Sequence, residues 1–227
     1  MVERVPMNSL QYNNMKFEGA INFIVFNTES KKVLISVLKN GMVKKTLVNK
    51  MKFRINNPTQ IIKDIESEII INKLVDDVKD ETITLATNNG CIGRFSVNSF
   101  VATASGAKAM PTCKLEENDF IVDCKISNAS EDGVNKILTI FEWNDGSLGY
   151  KVMKLSDILV KGRTARALNY IPSKKFKNLL HIYIAKDNFV LLNNKNKEYI
   201  FDTYEVFKRT EKGADFNKTI TPTNFYN

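Results

Sequence analysis

MVERVPMNSL at Met1–Leu10, MVKKTLVNKM at Met42–Met51 and CIGRFSVNSF at Cys91–Phe100 are one ten-residue phrase written three times. In each copy position two is Val or Ile, position four is Arg or Lys, position eight is Asn, and position ten is large and apolar. The second and third copies follow Asn-Gly, at Asn40-Gly41 and Asn89-Gly90, and Asn144-Asp145-Gly146 continues the series. The glycines stand 49 and 56 residues apart, and a polar turn at Asn193–Asn196 lies about one period further on. A repeat of this length is the signature of stacked supersecondary units. Met1 falls in the register of Met42 and Cys91, so the chain is expected to begin inside a unit.

Asn-Gly or Asp-Gly between apolar alternations marks a tight hairpin, and a type I′ turn, with positive φ at both central residues, is the expectation. The flanks agree. Val33–Leu38, Thr82–Ala86, Ile137–Phe141 and Phe189–Leu192 enter the turns, and Met42–Thr46, Leu148–Val152 and Tyr199–Phe201 leave them. Phe120–Ile126 and Leu179–Ile184 are further short strands by alternation or apolar run. Thr59–Asp76 reads both ways: its length and charge suit a helix, and Ile69-Ile70-Ile71 suits a strand. The fold predicted is all-β, a propeller-like disc of about four to five four-stranded blades in units 1–32, 33–81, 82–136, 137–188 and 189–227. A blade cannot bury both sheet faces alone, so neighbours must stack around an axis. A β-sandwich would leave the internal echo unexplained.

The chain has 227 residues, 43% hydrophobic, with 33 Lys and Arg against 25 Asp and Glu, a formal charge of +8. That balance suits a polyanionic partner, nucleic acid before an anionic membrane surface, although a generally lysine-rich surface gives the same total. The three cysteines, Cys91, Cys113 and Cys124, lack zinc-knuckle spacing and read as free thiols of a reducing cytoplasm. Nothing resembles a secretory signal or an 18–20-residue apolar span, and a soluble intracellular protein is expected.

A second phrase follows the first: Ala104-Ser105-Gly106-Ala107-Lys108-Ala109-Met110 in one unit and Gly162-Arg163-Thr164-Ala165-Arg166-Ala167-Leu168 in the next. The order of Asn-Gly hairpin, basic strand, apolar anchor, small-and-basic loop and hydrophobic strand resembles the repeat of the C-terminal domain of bacterial type IIA topoisomerase A subunits, those of DNA gyrase and topoisomerase IV. Gly90-Cys91-Ile92-Gly93-Arg94, Gly106–Met110 and Leu115–Asp119 carry the likeness, with Asn118 where a glycine is usual. The resemblance implies a β-pinwheel that binds and bends duplex DNA on a basic rim and presents it to a separate cleavage core. It implies a domain that is not catalytic by itself and holds no cofactor. Its partners are then duplex DNA, the rest of the A subunit and the ATPase subunit, with no membrane, in the cytoplasm at the nucleoid. The glutamine-arginine-arginine-glycine-glycine-lysine-glycine box of gyrase has no intact match. Gln11–Gly19 keeps only its ends, which favours a topoisomerase IV-like role or a diverged gyrase.

Phosphate contact without base reading needs only cations spaced along a rigid curved surface. Arg4, Lys45 and Arg94 share one repeat position, and Lys44 is adjacent. Lys151 and Lys154 belong to the corresponding strand of the next copy. Lys108 and Arg166 share a second position, beside which stands Arg163. These nine are the expected DNA-binding residues; the competing reading is solvated charge that protects strand edges. Lys174–Lys177 and Lys208–Lys212 are lesser basic clusters, and Asp215 falls near the Lys108 position, predicting a weaker contact there. Met51, Phe100, Ile158 and Trp143 read as core, and His181 as a core histidine. Glu116, Glu117 and Asp119 do not make a metal site, and no catalytic constellation or nucleotide loop is visible. A different class, a propeller that docks protein partners with incidental basic charge, remains the alternative.

Overall fold

The computed structural model describes residues 31–51, 60–63, 67–77, 80–192 and 198–216. Among these the only helices are single 3-10 turns, and everything else regular is strand. None of those turns is long and apolar enough to cross a membrane. The architecture is the expected all-β pinwheel. Three hairpins form its frame: β1 (Lys32–Leu38) with β2 (Met42–Leu47), β4 (Glu81–Thr87) with β5 (Cys91–Ser96), and β8 (Lys136–Trp143) with β9 (Leu148–Lys154). A fourth, β13 (Phe189–Leu192) with β14 (Glu198–Phe201), is a two-stranded sheet.

The turns differ from expectation in type. Gly41, Gly90 and Gly146 have φ of 78°, 76° and 80°, while Asn40, Asn89 and Asp145 do not have positive φ. Each glycine amide donates back to the residue three before it, Leu38, Thr87 or Trp143. This is a type I turn closed by a left-handed glycine, the bulged alternative to type I′.

Each hairpin gains a strand from its own unit: β3 (Ile69–Asp76) on β1, β7 (Ile121–Asn128) on β4, and β12 (Phe176–Ala185) on β8. The ambiguous 59–76 segment thus contains a strand, as Ile69-Ile70-Ile71 suggested. On the other edge each hairpin is completed by the following unit. β6 (Met110–Pro111) pairs with β2, β11 (Leu168–Asn169) with β5, and β15 (Ala214–Asp215) with β9. β10 (Val160–Lys161) also joins β5, in parallel.

The strands of the first three hairpins are buried on both faces, because sheets stack on sheets and because Ile61, Ile62 and Ala109 cover Leu34 and Leu38 on the other face of the first sheet. Val33, Ile35 and Val37 of the first sheet meet Ile83, Leu85 and Phe95 of the second. Ala86 and Ile92 meet Ile137, Phe141 and Met153 of the third. Leu138, Ile140 and Val152 then meet Phe189, Leu191 and Phe201 of the fourth. Each of these Val, Leu, Ile, Phe and Met side chains contributes about 1.5–3 kcal/mol on leaving water. The anchors Met51, Phe100 and Ile158 are buried as expected, and Trp143 packs edge-on against Phe141 between sheets. Arg4, Gln11–Gly19 and Asn193–Asn196 lie outside the described residues.

Candidate nucleic-acid interface

The exchanged strands set a register that sequence alone did not give. The Thr112, Tyr170 and Phe216 amides donate to the Gly41, Gly90 and Leu148 carbonyls at 3.0, 3.1 and 2.8 Å. Met110, Leu168 and Ala214 pair with Val43, Ile92 and Tyr150. Four residues before each donor stand Lys108, Arg166 and Lys212, all exposed. Three residues earlier stand Ser105, Arg163 and Arg209, and both arginines are exposed. The loops also close alike. The Ala107, Ala165 and Glu211 amides each donate to the carbonyl three residues back.

Asp215 is therefore not the counterpart of Lys108. It lies in the exchanged strand opposite Gly149, equivalent to Pro111 and Asn169. The third loop keeps its cation as Lys212. The echo Arg163-Thr164-Ala165-Arg166 against Arg209-Thr210-Glu211-Lys212 carried this signal. Gly213-Ala214, which imitates Gly106-Ala107, hid it by suggesting a false alignment.

The loop cations have partners of surface strength. Arg166, 69% exposed, pairs with Glu116, and an Arg163 N–H meets the Met110 sulfur at 3.0 Å. An exposed ion pair of this kind contributes about 0–1 kcal/mol. Thr164 and Gly106 hold the loop with φ of 70° and 78°. Lys154 is exposed at the end of β9.

The strand cations lie elsewhere. Lys44, Lys45, Arg94 and Lys151 are buried, at 0%, 5%, 1% and 1% exposure. Lys44 Nζ donates to Thr103 Oγ1 and to the Ala104 and Ala107 carbonyls at 3.0, 2.9 and 2.9 Å. Lys151 Nζ donates to the Tyr170, Arg209 and Glu211 carbonyls at 2.6, 2.9 and 2.5 Å. Arg94 meets Asp132 at 2.7 Å and Thr82 Oγ1 at 2.9 Å, and donates to the Leu155 and Ile158 carbonyls at 3.2 Å. Lys45 pairs with Asp77 at 2.7 Å. Burial pushes the Lys44 amine down from its usual range. It also pushes Lys151 down, to about 8, with nearby Glu211 opposing and Arg209 adding to the fall. Lys44 and Lys151 fasten the exchanged loops from inside, whereas Lys45 is held by Asp77 and Arg94 by Thr82, Asp132 and the Leu155–Ile158 turn; the geometry of all four does not fit a phosphate contact. The reason is that both faces are covered: Lys45 and Arg94 share the face that meets the next sheet, and Lys44 and Lys151, on the opposite face, lie under the exchanged loops.

The remaining readings divide. Cys113 and Cys124 are buried free thiols, and burial raises both, Cys113 to about 12. His181 is half-buried rather than core, with Nδ1 3.7 Å from Asp123. Asp119 accepts from the Asn89 and Phe120 amides as a turn cap. Among the described residues no group of three His, Cys, Asp or Glu is placed to hold a metal ion. Asn118 has φ of 61°, the left-handed conformation for which glycine or asparagine is suited.

Comparison with known proteins gives the same architecture. No curated protein sequence matches the chain. Solved structures similar to it include the C-terminal domain of DNA topoisomerase IV (TM-score 0.69, 20% identity, 84% of this chain and 58% of that one). A DNA gyrase A C-terminal domain aligns at TM-score 0.62 and 17% identity, over 82% of this chain and 61% of that one. The E. coli ParC C-terminal domain aligns at TM-score 0.63 and 13% identity, over 84% and 79%. The chain spans about three-fifths of the length of the first two. Residues 81–128 match the family model described as DNA gyrase C-terminal domain, beta-propeller. By sequence over that repeat and by fold over most of its length, the chain is a β-pinwheel of the kind that forms the C-terminal domains of DNA gyrase A and topoisomerase IV.

Proposed function

We propose that this protein binds and bends duplex DNA along the exchanged loops, as a non-catalytic part of a type IIA topoisomerase A subunit. The carrying observation is that Lys108, Arg166 and Lys212 occupy one structural position in three successive loops and are all exposed. Arg163 and Arg209 add exposed charge within the same loops, and Lys154 is a further exposed cation at the end of β9. Cations repeated on a rigid curved frame bind phosphates without reading bases. The cleavage core, the ATPase subunit and the rest of the A subunit would then supply the chemistry, in the cytoplasm at the nucleoid, and this part would need no cofactor.

The test is fluorescence anisotropy with random-sequence duplex across a salt series, alongside end-to-end energy transfer to report bending. Affinity is expected to fall steeply with salt and to vary little with sequence. The triple variant Lys108→Glu, Arg166→Glu, Lys212→Glu should lower the log–log salt slope by about three. No binding at about 50 mM salt, or a triple variant that binds and bends like the parent, would refute the proposal.

A further inference from the structure

Lys44 and Lys151 stand at the same place in their strands, four residues before Val48 and Leu155, which open equivalent one-turn helices. An ammonium has three donors, and in each lysine all three are used on uncharged oxygens. Five of the six acceptors are backbone carbonyls. Ala107 and Glu211, equivalent residues, immediately precede the exposed Lys108 and Lys212, and Arg209 is itself an acceptor residue. A buried cation with no carboxylate among these acceptors is costly where an apolar chain would fill the space. The sheet itself does not require it. The second sheet has Gly93 at this place, and its loop is tied by the Thr164 amide to the Thr112 carbonyl at 2.7 Å and by Lys161 to the Arg166 carbonyl at 3.0 Å.

We infer that Lys44 and Lys151 are positioning residues. From inside the protein, they fix the backbone that aims Lys108 in one loop and Arg209 and Lys212 in another. This rests on the DNA-binding reading above. Each lysine acts through the loop cations and touches no phosphate itself.

A double-mutant cycle on the full chain tests it, with duplex DNA affinity as the readout and circular dichroism as the check of fold. Lys151→Met should weaken binding about tenfold, within the range for residues that act together. In an Arg209→Ala, Lys212→Ala background the same change should cost less than about twofold, because the groups it aims are gone. The matching cycle pairs Lys44→Met with Lys108→Ala, and stands in if Lys151→Met does not fold. Equal losses in both backgrounds, or parent-like affinity in a folded single variant, would overturn the inference. Unfolding of both lysine variants would assign them to stability alone and overturn it too. Absence of binding by the parent chain would instead refute the DNA reading.

Discussion

Arg94 has the same residue type and sequence spacing as a rim cation and does the work of a core residue. Its guanidinium joins Thr82, Asp132 and two carbonyls of the next unit, and almost none of it meets solvent. Substitution there tests folding rather than DNA contact. Arg94→Met strands the partly buried Asp132 carboxylate, so a loss of about 3 kcal/mol is expected, toward the lower end for a broken buried pair. Urea titration measures it; an unchanged midpoint would show that the four bonds contribute nothing net. The exposed cations were half legible. Lys108, Arg163 and Arg166 lie in a phrase that repeats in sequence, whereas Arg209 and Lys212 were misaligned by the neighbouring Gly213-Ala214. Charge and period mark a repeated cation, but they carry no information on which face a neighbouring sheet covers.

At the scale of elements, hairpins and exchanged strands differ in how far sequence reveals them. The hairpins are local: a left-handed glycine closes each, and apolar flanks define the pairing, so Asn40-Gly41, Asn89-Gly90 and Asp145-Gly146 sufficed to place them. The exchanged strands have two residues each, too few for any period to show. They are visible only through the edge they complete. A small residue precedes each one, Ala109, Ala167 or Gly213. Gly213 is the most constrained. It has φ of 88°, and a Cβ there would lie 2.5 Å from the Tyr150 carbonyl oxygen and 3.1 Å from Lys151. Gly213→Ala combines left-handed strain with a backbone clash, for an expected loss of about 1–3 kcal/mol. Hydrogen exchange should place the damage at β15 and the Glu211 loop. Full protection there at an unchanged melting temperature would count against this packing.

On the whole-molecule scale, exchange makes each of the first three sheets depend on the next unit for its last strand, while apolar clusters fill the gaps between the described sheets. Repeat arrays without such sharing unfold by nearest-neighbour terms and can lose units one at a time. Here the described sheets should unfold together. Denaturation followed by the fluorescence of Trp143, between the second and third sheets, should coincide with far-UV circular dichroism. Two separated transitions would show that the sheets are independent. The sequence by itself determined the all-β class, the repeated hairpins and their glycine turns, and the basic balance, because these follow from local backbone preference and composition. Only the tertiary structure decided which cations reach solvent and which unit completes each sheet. Both depend on contacts between residues roughly 60 positions apart, as from Lys44 to Ala104 and from Lys151 to Glu211. Neighbouring sheets and exchanged loops cover both faces of the first three hairpins, so the burial of a strand cation depends on what covers its face and not on its own alternation.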